Sequence, residues 1–231
     1  MAFIEAKKVK LQAMLSNTHE AYKVPLYQRP YVWTKDQWED LFEDIKGLED
    51  GRIHFIGSIV VPEGEHRLGV NYFQVVDGQQ RLATLLIWLS AIRDTAKDIY
   101  NNQLAEHLTD FLFAKEWEGN RVRQIPKLKL GSLDDDAFQK VLEGKPSDSK
   151  HSIFECYTYF KDKTQDVNLW QKLLNNISVV HINAFNNFNS FRLFETLNDR
   201  GLELSAADLI KNFVLMSVSS DENIFNDTIN E

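Results

Sequence analysis

The apolar residues Trp38, Leu41, Phe42 and Ile45 recur at helical spacing, which predicts a helix that opens at Thr34 and stops at Gly47. Thr34 with Gln37 three residues on forms a capping-box pattern, and Trp33 and Trp38 occupy the two positions of a hydrophobic staple. Upstream, Val24 to Trp33 carries Pro25 and Pro30, which exclude a regular helix and predict extended chain. His54 to Val61 reads as a buried strand ending at Pro62, and Asn71 to Val76 as a second after the polar turn Glu63 to Gly69. The two strands are expected to form a hairpin. At Gln79 the period changes, and Leu82, Leu85, Leu86 and Leu89 share one face of a helix running to about Tyr100. From about Gln103 to Asn176 the pattern is amphipathic helix, with a short strand at Ile125 to Leu130 and a loop at Gly144 to Ser147. Ile177 to Ile182 predicts one more strand. A helix from about Asn187 to Leu197, a turn at Asn198 to Gly201 and a helix from Ser205 follow.

With 231 residues, 43% of them hydrophobic and 26% charged, the chain can bury one sizeable core, and one domain with a helical extension is expected. The longest apolar stretches, such as Leu82 to Leu89, are too short to cross a bilayer, and Met1 to Lys10 lacks the apolar centre of a secretory signal. The expectation is a soluble cytoplasmic protein with no membrane partner. The single cysteine, Cys156, excludes an internal disulfide, and six scattered histidines show no zinc-ligand spacing. A net charge of −8 argues against a surface that grips phosphate backbones everywhere, while leaving room for a local basic pocket. Asp134-Asp135-Asp136 reads as the solvated start of a helix.

Three segments carry candidate chemistry. In Val75-Val76-Asp77-Gly78-Gln79-Gln80-Arg81 a strand passes through a glycine into a helix, whose first N–H groups and dipole suit an anion. Arg81 in the first turn opposes that dipole by a few tenths to about 1 kcal/mol, a cost that a bound oxyanion would reverse. Alternatively, Asp77 and Gln80 form a capping box and Asp77 pairs with Arg81 at i, i+4, although consecutive amides at Gln79 and Gln80 offer more donors and acceptors than a cap requires. Tyr27-Gln28-Arg29 lies between two prolines that stiffen it, so it either presents Arg29 as a bidentate phosphate clamp or docks its aromatics as a surface loop. In Phe194 to Asn212, Gly201 suits a helix end and Ser205 with Asp208 a helix start, while Asp208, Lys211 and Asn212 share a polar face that is either solvated or turned to a site. No phosphate-binding P-loop pattern and no His-Asn-His arrangement occurs, and Asp44-Ile45-Lys46 forms no convincing nuclease metal site.

Pro25 to Trp33, Phe55-Ile56-Gly57-Ser58, Val76 to Leu85 and Phe194 to Asn212, in this order and spacing, resemble the ParB/sulfiredoxin-like N-terminal domain of GmrSD-type restriction systems. The resemblance implies an α/β (α+β) fold, with a small mixed sheet of ParB/sulfiredoxin-like type and an appended, mostly helical region. It divides the chain into a nucleotide-binding core at 1–100, a helical insertion at 101–176 and a closing part at 177–231. It further implies binding, and often Mg²⁺-dependent hydrolysis, of an NTP (GTP or ATP), controlling attack on foreign, frequently base-modified DNA. A C-terminal HNH-type nuclease domain is expected in a longer protein, and this chain alone is not expected to be a nuclease. Oligomerisation stays open.

Carried onto this sequence, the nucleotide-binding residues are Tyr27, Gln28, Arg29, Gly57, Gly78, Gln79, Gln80 and Arg81, with Asn198, Arg200, Asp208, Lys211 and Asn212 closing the site from the C-terminal side. Asp77, Arg81 and Arg29 are the candidate catalytic groups, and Asp77 is the Mg²⁺ ligand or the group that orients the attacking water. Ala83 stands where a threonine is often found. The alternative reading is a nucleotide- or DNA-gated switch without turnover.

Overall fold

A computed structural model of the chain describes residues 3–26, 28–49, 51–147 and 150–185, and of 3–5, 63–64 and 183–185 the backbone alone. The elements follow in the order β1 (Phe3–Lys10), α1 (Leu11–Leu15), β2 (Glu20–Lys23), α2 (Lys35–Lys46), β3 (His54–Val60), β4 (Glu63–Arg67), β5 (Val70–Gln74), α3 (Gln79–Asp98) and α4 (Asn102–Leu112). After them come β6 (Phe113–Glu118), β7 (Arg121–Pro126), β8 (Leu128–Lys129), α5 (Asp135–Leu142), α6 (Ser152–Lys163), α7 (Leu169–Asn175) and β9 (Ile177–Phe185). This is an α+β fold with small mixed sheets.

Among the described residues the strands form three small sheets. In the first, β9 lies between β1, to which it runs antiparallel, and β3, to which it runs parallel. The second has the order β4-β5-β2-β8, with β2 parallel to both of its neighbours, and the third is the β6–β7 hairpin. The hairpin expected between 54–61 and 71–76 is therefore not formed. The polar stretch read as a turn is itself the edge strand β4, which pairs with β5, and the strand-type pairing of β3 with the chain after β5 is the isolated Val60–Asp77 bridge. The β6–β7 hairpin also interrupts the stretch expected to be helix. Its signal was local: Gly119-Asn120 is a two-residue hairpin turn, Gly119 has φ +61°, and Trp117 faces Val122 across it.

α3 is the central helix, buried on nearly every side rather than on one face. Leu82, Leu85, Leu86 and Leu89 are buried as expected, and so are Ala83, Ile87, Trp88 and Ala91. Trp88 stacks on Phe160 of α6, with ring centroids 4.7 Å apart, and its indole N–H donates to Thr164. Arg93, 2% exposed, donates to the carbonyls of Leu142 and Val141 and so satisfies the C-terminal end of α5.

The acidic run does start a helix but is not uniformly solvated. Asp134 is 6% exposed, its Oδ2 accepts the Tyr31 N–H at 2.8 Å, and its Oδ1 lies 3.7 Å from His151 Nε2. Burial raises the Asp135 carboxyl above its ordinary range, against the pull of the Leu130 N–H that donates to it. Asp136, paired with Lys140, is the solvated member.

Cys156 is buried and accepts from the Tyr31 hydroxyl at 3.3 Å, and burial pushes its thiol well above the ordinary range. The folded chain thus keeps a proton that the unfolded chain releases near pH ~8.5, so this stability is present below that pH and lost above it. Wild type is expected to lose stability relative to Cys156→Ala as pH rises past about 8.5, by up to about 1.4 kcal/mol per pH unit, in paired urea titrations. Parallel pH profiles for the two proteins would contradict this.

Candidate functional site

The site begins where the chain leaves the sheets. The Val76 N–H donates to Val60 O at 2.9 Å and the Val60 N–H to Asp77 O at 3.2 Å, which fixes 76–77 beside the end of β3. Gly78 then turns into α3 with φ +84°, and a Cβ there would lie 2.8 Å from Ser58 O. A left-handed backbone pressed against a carbonyl requires glycine. Gly78 is the N-cap, and the first intrahelical bond runs from Leu82 N to Gly78 O. Gly78 has no side chain to cap this end and the Asp77–Gln80 capping box does not form, so among the described residues the first N–H groups of α3 have no side-chain acceptor.

Gln79 and Gln80, each 7% exposed, turn to the proline-flanked segment. Gln79 Nε2 donates to Arg29 O, and Gln80 Nε2 to Pro30 O, both at 3.0 Å. Gln80 Oε1 accepts the Val32 N–H at 2.9 Å. In return Gln28 Nε2 donates to Val76 O at 2.8 Å. An extended segment outside any sheet leaves its peptide groups without ladder partners, and the two amides supply them. Tyr31 anchors the far end, its hydroxyl 2.6 Å from Thr84 Oγ1 and accepting the Trp38 indole N–H at 2.9 Å. Arg29 remains exposed at the surface of this segment.

Arg81 packs beneath the same junction. Its Nη1 donates to Ile56 O at 3.0 Å and its Nη2 lies 3.3 Å from Asp77 Oδ2, so the i, i+4 pair is formed. Gly57, with φ +105°, makes room: a Cβ there would sit 1.9 Å from Arg81 Nη1. Ser58 Oγ donates to the same Asp77 oxygen at 3.3 Å, an interaction that sequence reasoning missed although the Phe55-Ile56-Gly57-Ser58 segment pointed to it. A guanidinium has five N–H donors, so Arg81 keeps capacity beyond these two partners.

The fold thus brings Gln28, Arg29, Gly57, Asp77, Gly78, Gln79, Gln80 and Arg81 to one junction. Tyr27, Asn198, Arg200, Asp208, Lys211 and Asn212 lie outside the described residues, as do the helices expected from Asn187 and Ser205.

A model of the GmrSD restriction endonuclease N-terminal domain matches residues 11–215. The chain belongs to this family. The match spans all four motifs and makes this GmrSD N-terminal domain part of a DNA restriction, phage-defence system. No curated protein matches it. No helix among the described residues is long and apolar enough to cross a membrane. Among them there is also no cluster of three His, Cys, Asp or Glu residues able to hold a metal. Asp77 brings one carboxylate to the junction, its Oδ2 3.3 Å from both Ser58 Oγ and Arg81 Nη2.

Proposed function

We propose that this GmrSD N-terminal domain binds the phosphates of a nucleoside triphosphate at the start of α3 and thereby controls DNA cleavage by a C-terminal nuclease domain. The observation that carries the reading is the N-terminus of α3, uncapped among the described residues behind the left-handed Gly78, with Arg81 seated beside it. Backbone N–H groups at Gly78 and Gln79, with Arg81 and Arg29, are assigned to phosphate oxygens. Gln28, Gln79 and Gln80 position the segment that carries Arg29 rather than meeting phosphate through their amides. Asp77 would hold Mg²⁺, which neutralises phosphate charge when bound, or orient water. The roles of Tyr27 and of Asn198, Arg200, Asp208, Lys211 and Asn212 are proposed on family grounds alone.

A switch without turnover is the second reading, and one feature favours it: the Asp77 carboxylate is already engaged by both Ser58 and Arg81.

Arg81→Ala is expected to weaken nucleotide affinity about tenfold or more, the scale of a charge-assisted hydrogen bond. Asp77→Asn is expected to keep affinity in EDTA but to lose any gain from Mg²⁺ and any phosphate release. Calorimetric titration with GTP and ATP, with and without Mg²⁺, measures both. Binding without phosphate release in the wild type selects the switch. Lowered melting temperature with unchanged affinity in both variants would mean that the pair is structural only.

A further inference from the structure

Parallel strands β2 and β8 place Lys23 directly opposite Lys129, and both side chains are exposed. Like charges opposite each other across a strand pair destabilise a sheet, a penalty that an anion bound between them would remove. The same two lysines line a groove of about 390 Å³ together with Arg67 of β4 and Arg123 of β7. Those arginines are held in place by one buried acid. Glu116 of β6, its side chain 2% exposed, accepts from Arg123 Nη2 at 3.0 Å on one oxygen, and its other oxygen lies 3.5 Å from Arg67 Nη2. That second oxygen also accepts from the Tyr72 hydroxyl at 2.9 Å. A carboxylate at this depth is costly unless it is paired, so Glu116 fixes two guanidiniums whose side chains are 59% and 60% exposed. Each has five donors and turns one toward Glu116. Glu65 is the acid among the groove's lining residues, so four cations face one exposed carboxylate in a chain of net charge −8.

We propose that this groove is a second anion site, built from residues other than those at the start of α3, and that it takes the phosphodiester backbone of DNA. Arginines held at fixed positions suit phosphate oxygens bidentately, and paired lysines add point charges that neutralise neighbouring phosphates. DNA is preferred over an acidic peptide because the chain belongs to a restriction endonuclease family. The proposal does not depend on the nucleotide reading.

The test is fluorescence anisotropy of a mixed-sequence duplex oligonucleotide with the whole 231-residue chain over a salt series. The double variant Lys23→Gln/Lys129→Gln removes two cations and their mutual repulsion, so its melting temperature is expected to hold or rise. Its DNA affinity is expected to fall at least threefold at low salt, with the slope of log K against log salt reduced by about 0.9 for each phosphate that is no longer neutralised. Arg123→Gln is expected to act in the same direction, and nucleotide titration of the lysine variant is expected to match wild type. Absence of DNA binding by the wild-type chain, or wild-type affinity and slope in the lysine variant, would overturn the proposal. So would displacement of the duplex by nucleotide, or binding of polyglutamate in place of DNA with the same lysine dependence. A loss of nucleotide binding in Arg81→Ala with DNA binding intact would leave the two sites distinct, as proposed.

Discussion

Gly57→Ala is expected to remove nucleotide binding as effectively as Arg81→Ala, although residue 57 offers no side chain to a ligand. The added Cβ would lie 1.9 Å from Arg81 Nη1, closer than any non-bonded approach allows, so the guanidinium must leave its seat on Ile56 O. Arginine is flexible, and the displacement itself is sterically cheap. Its consequence is that the Nη1 hydrogen bond to Ile56 O, which aims Arg81, is lost, and a β-carbon at positive φ adds about 1 to 2 kcal/mol of strain. Nucleotide affinity is expected to fall about tenfold or more, with a melting temperature lowered by only several degrees. Circular dichroism and nucleotide titration on the same preparation separate the two effects. Wild-type affinity in a folded Gly57→Ala protein would show that the position of Arg81 does not matter to the ligand.

The largest stability loss is expected from Gln80→Glu. The Gln80 amide donates to Pro30 O and accepts from Val32 N, and a carboxylate can do only the second. The change brings oxygen against the Pro30 carbonyl and buries a charge in a position that is 7% exposed, for a loss of about 2 to 4 kcal/mol at neutral pH. Protonation restores a donor. Burial and the facing carbonyl raise the introduced carboxyl above its unfolded value of about 4.3, so its stability is complete below that pH and is lost as pH rises through the higher folded value. The gap to wild type in urea titrations is therefore expected to be wider at pH 8 than at pH 5. Gln79→Glu, which disturbs the single bond to Arg29 O, is expected to cost less. Equal and pH-independent losses in the two variants would contradict this account.

Gln80 also shows where sequence reading stops. Two adjacent amides at a helix start offered more hydrogen-bonding capacity than a cap requires, and this much was legible. Their acceptors lie 50 positions upstream, and nothing local specifies a partner at that separation. Features closed within one turn fared better: Thr34 and Gln37 do bond as a capping box, and α2 ends at Gly47. Strand pairing failed where it depended on distant chain. The polar alternation of β4 carries no apolar signal because it forms a sheet edge, and the parallel neighbours of β2 arrive from residues 70–74 and 128–129. Gly57 was visible as part of a motif, but its reason, the passage of Arg81 across it, required the fold.

The middle position of β9 bears on how the molecule is made. Synthesis delivers β1 and β3 long before residues 177–185, yet among the described residues the two share no hydrogen-bonded edge and join through β9, which arrives after both. On the ribosome, α3 and the elements around it can collapse early, while the flanks of this sheet wait with open edges, the condition in which strands mispair. The pairing of β1 and β3 into the first sheet is therefore completed only once residues 177–185 are made, and a chain stalled before residue 177 would leave both strands without their shared partner.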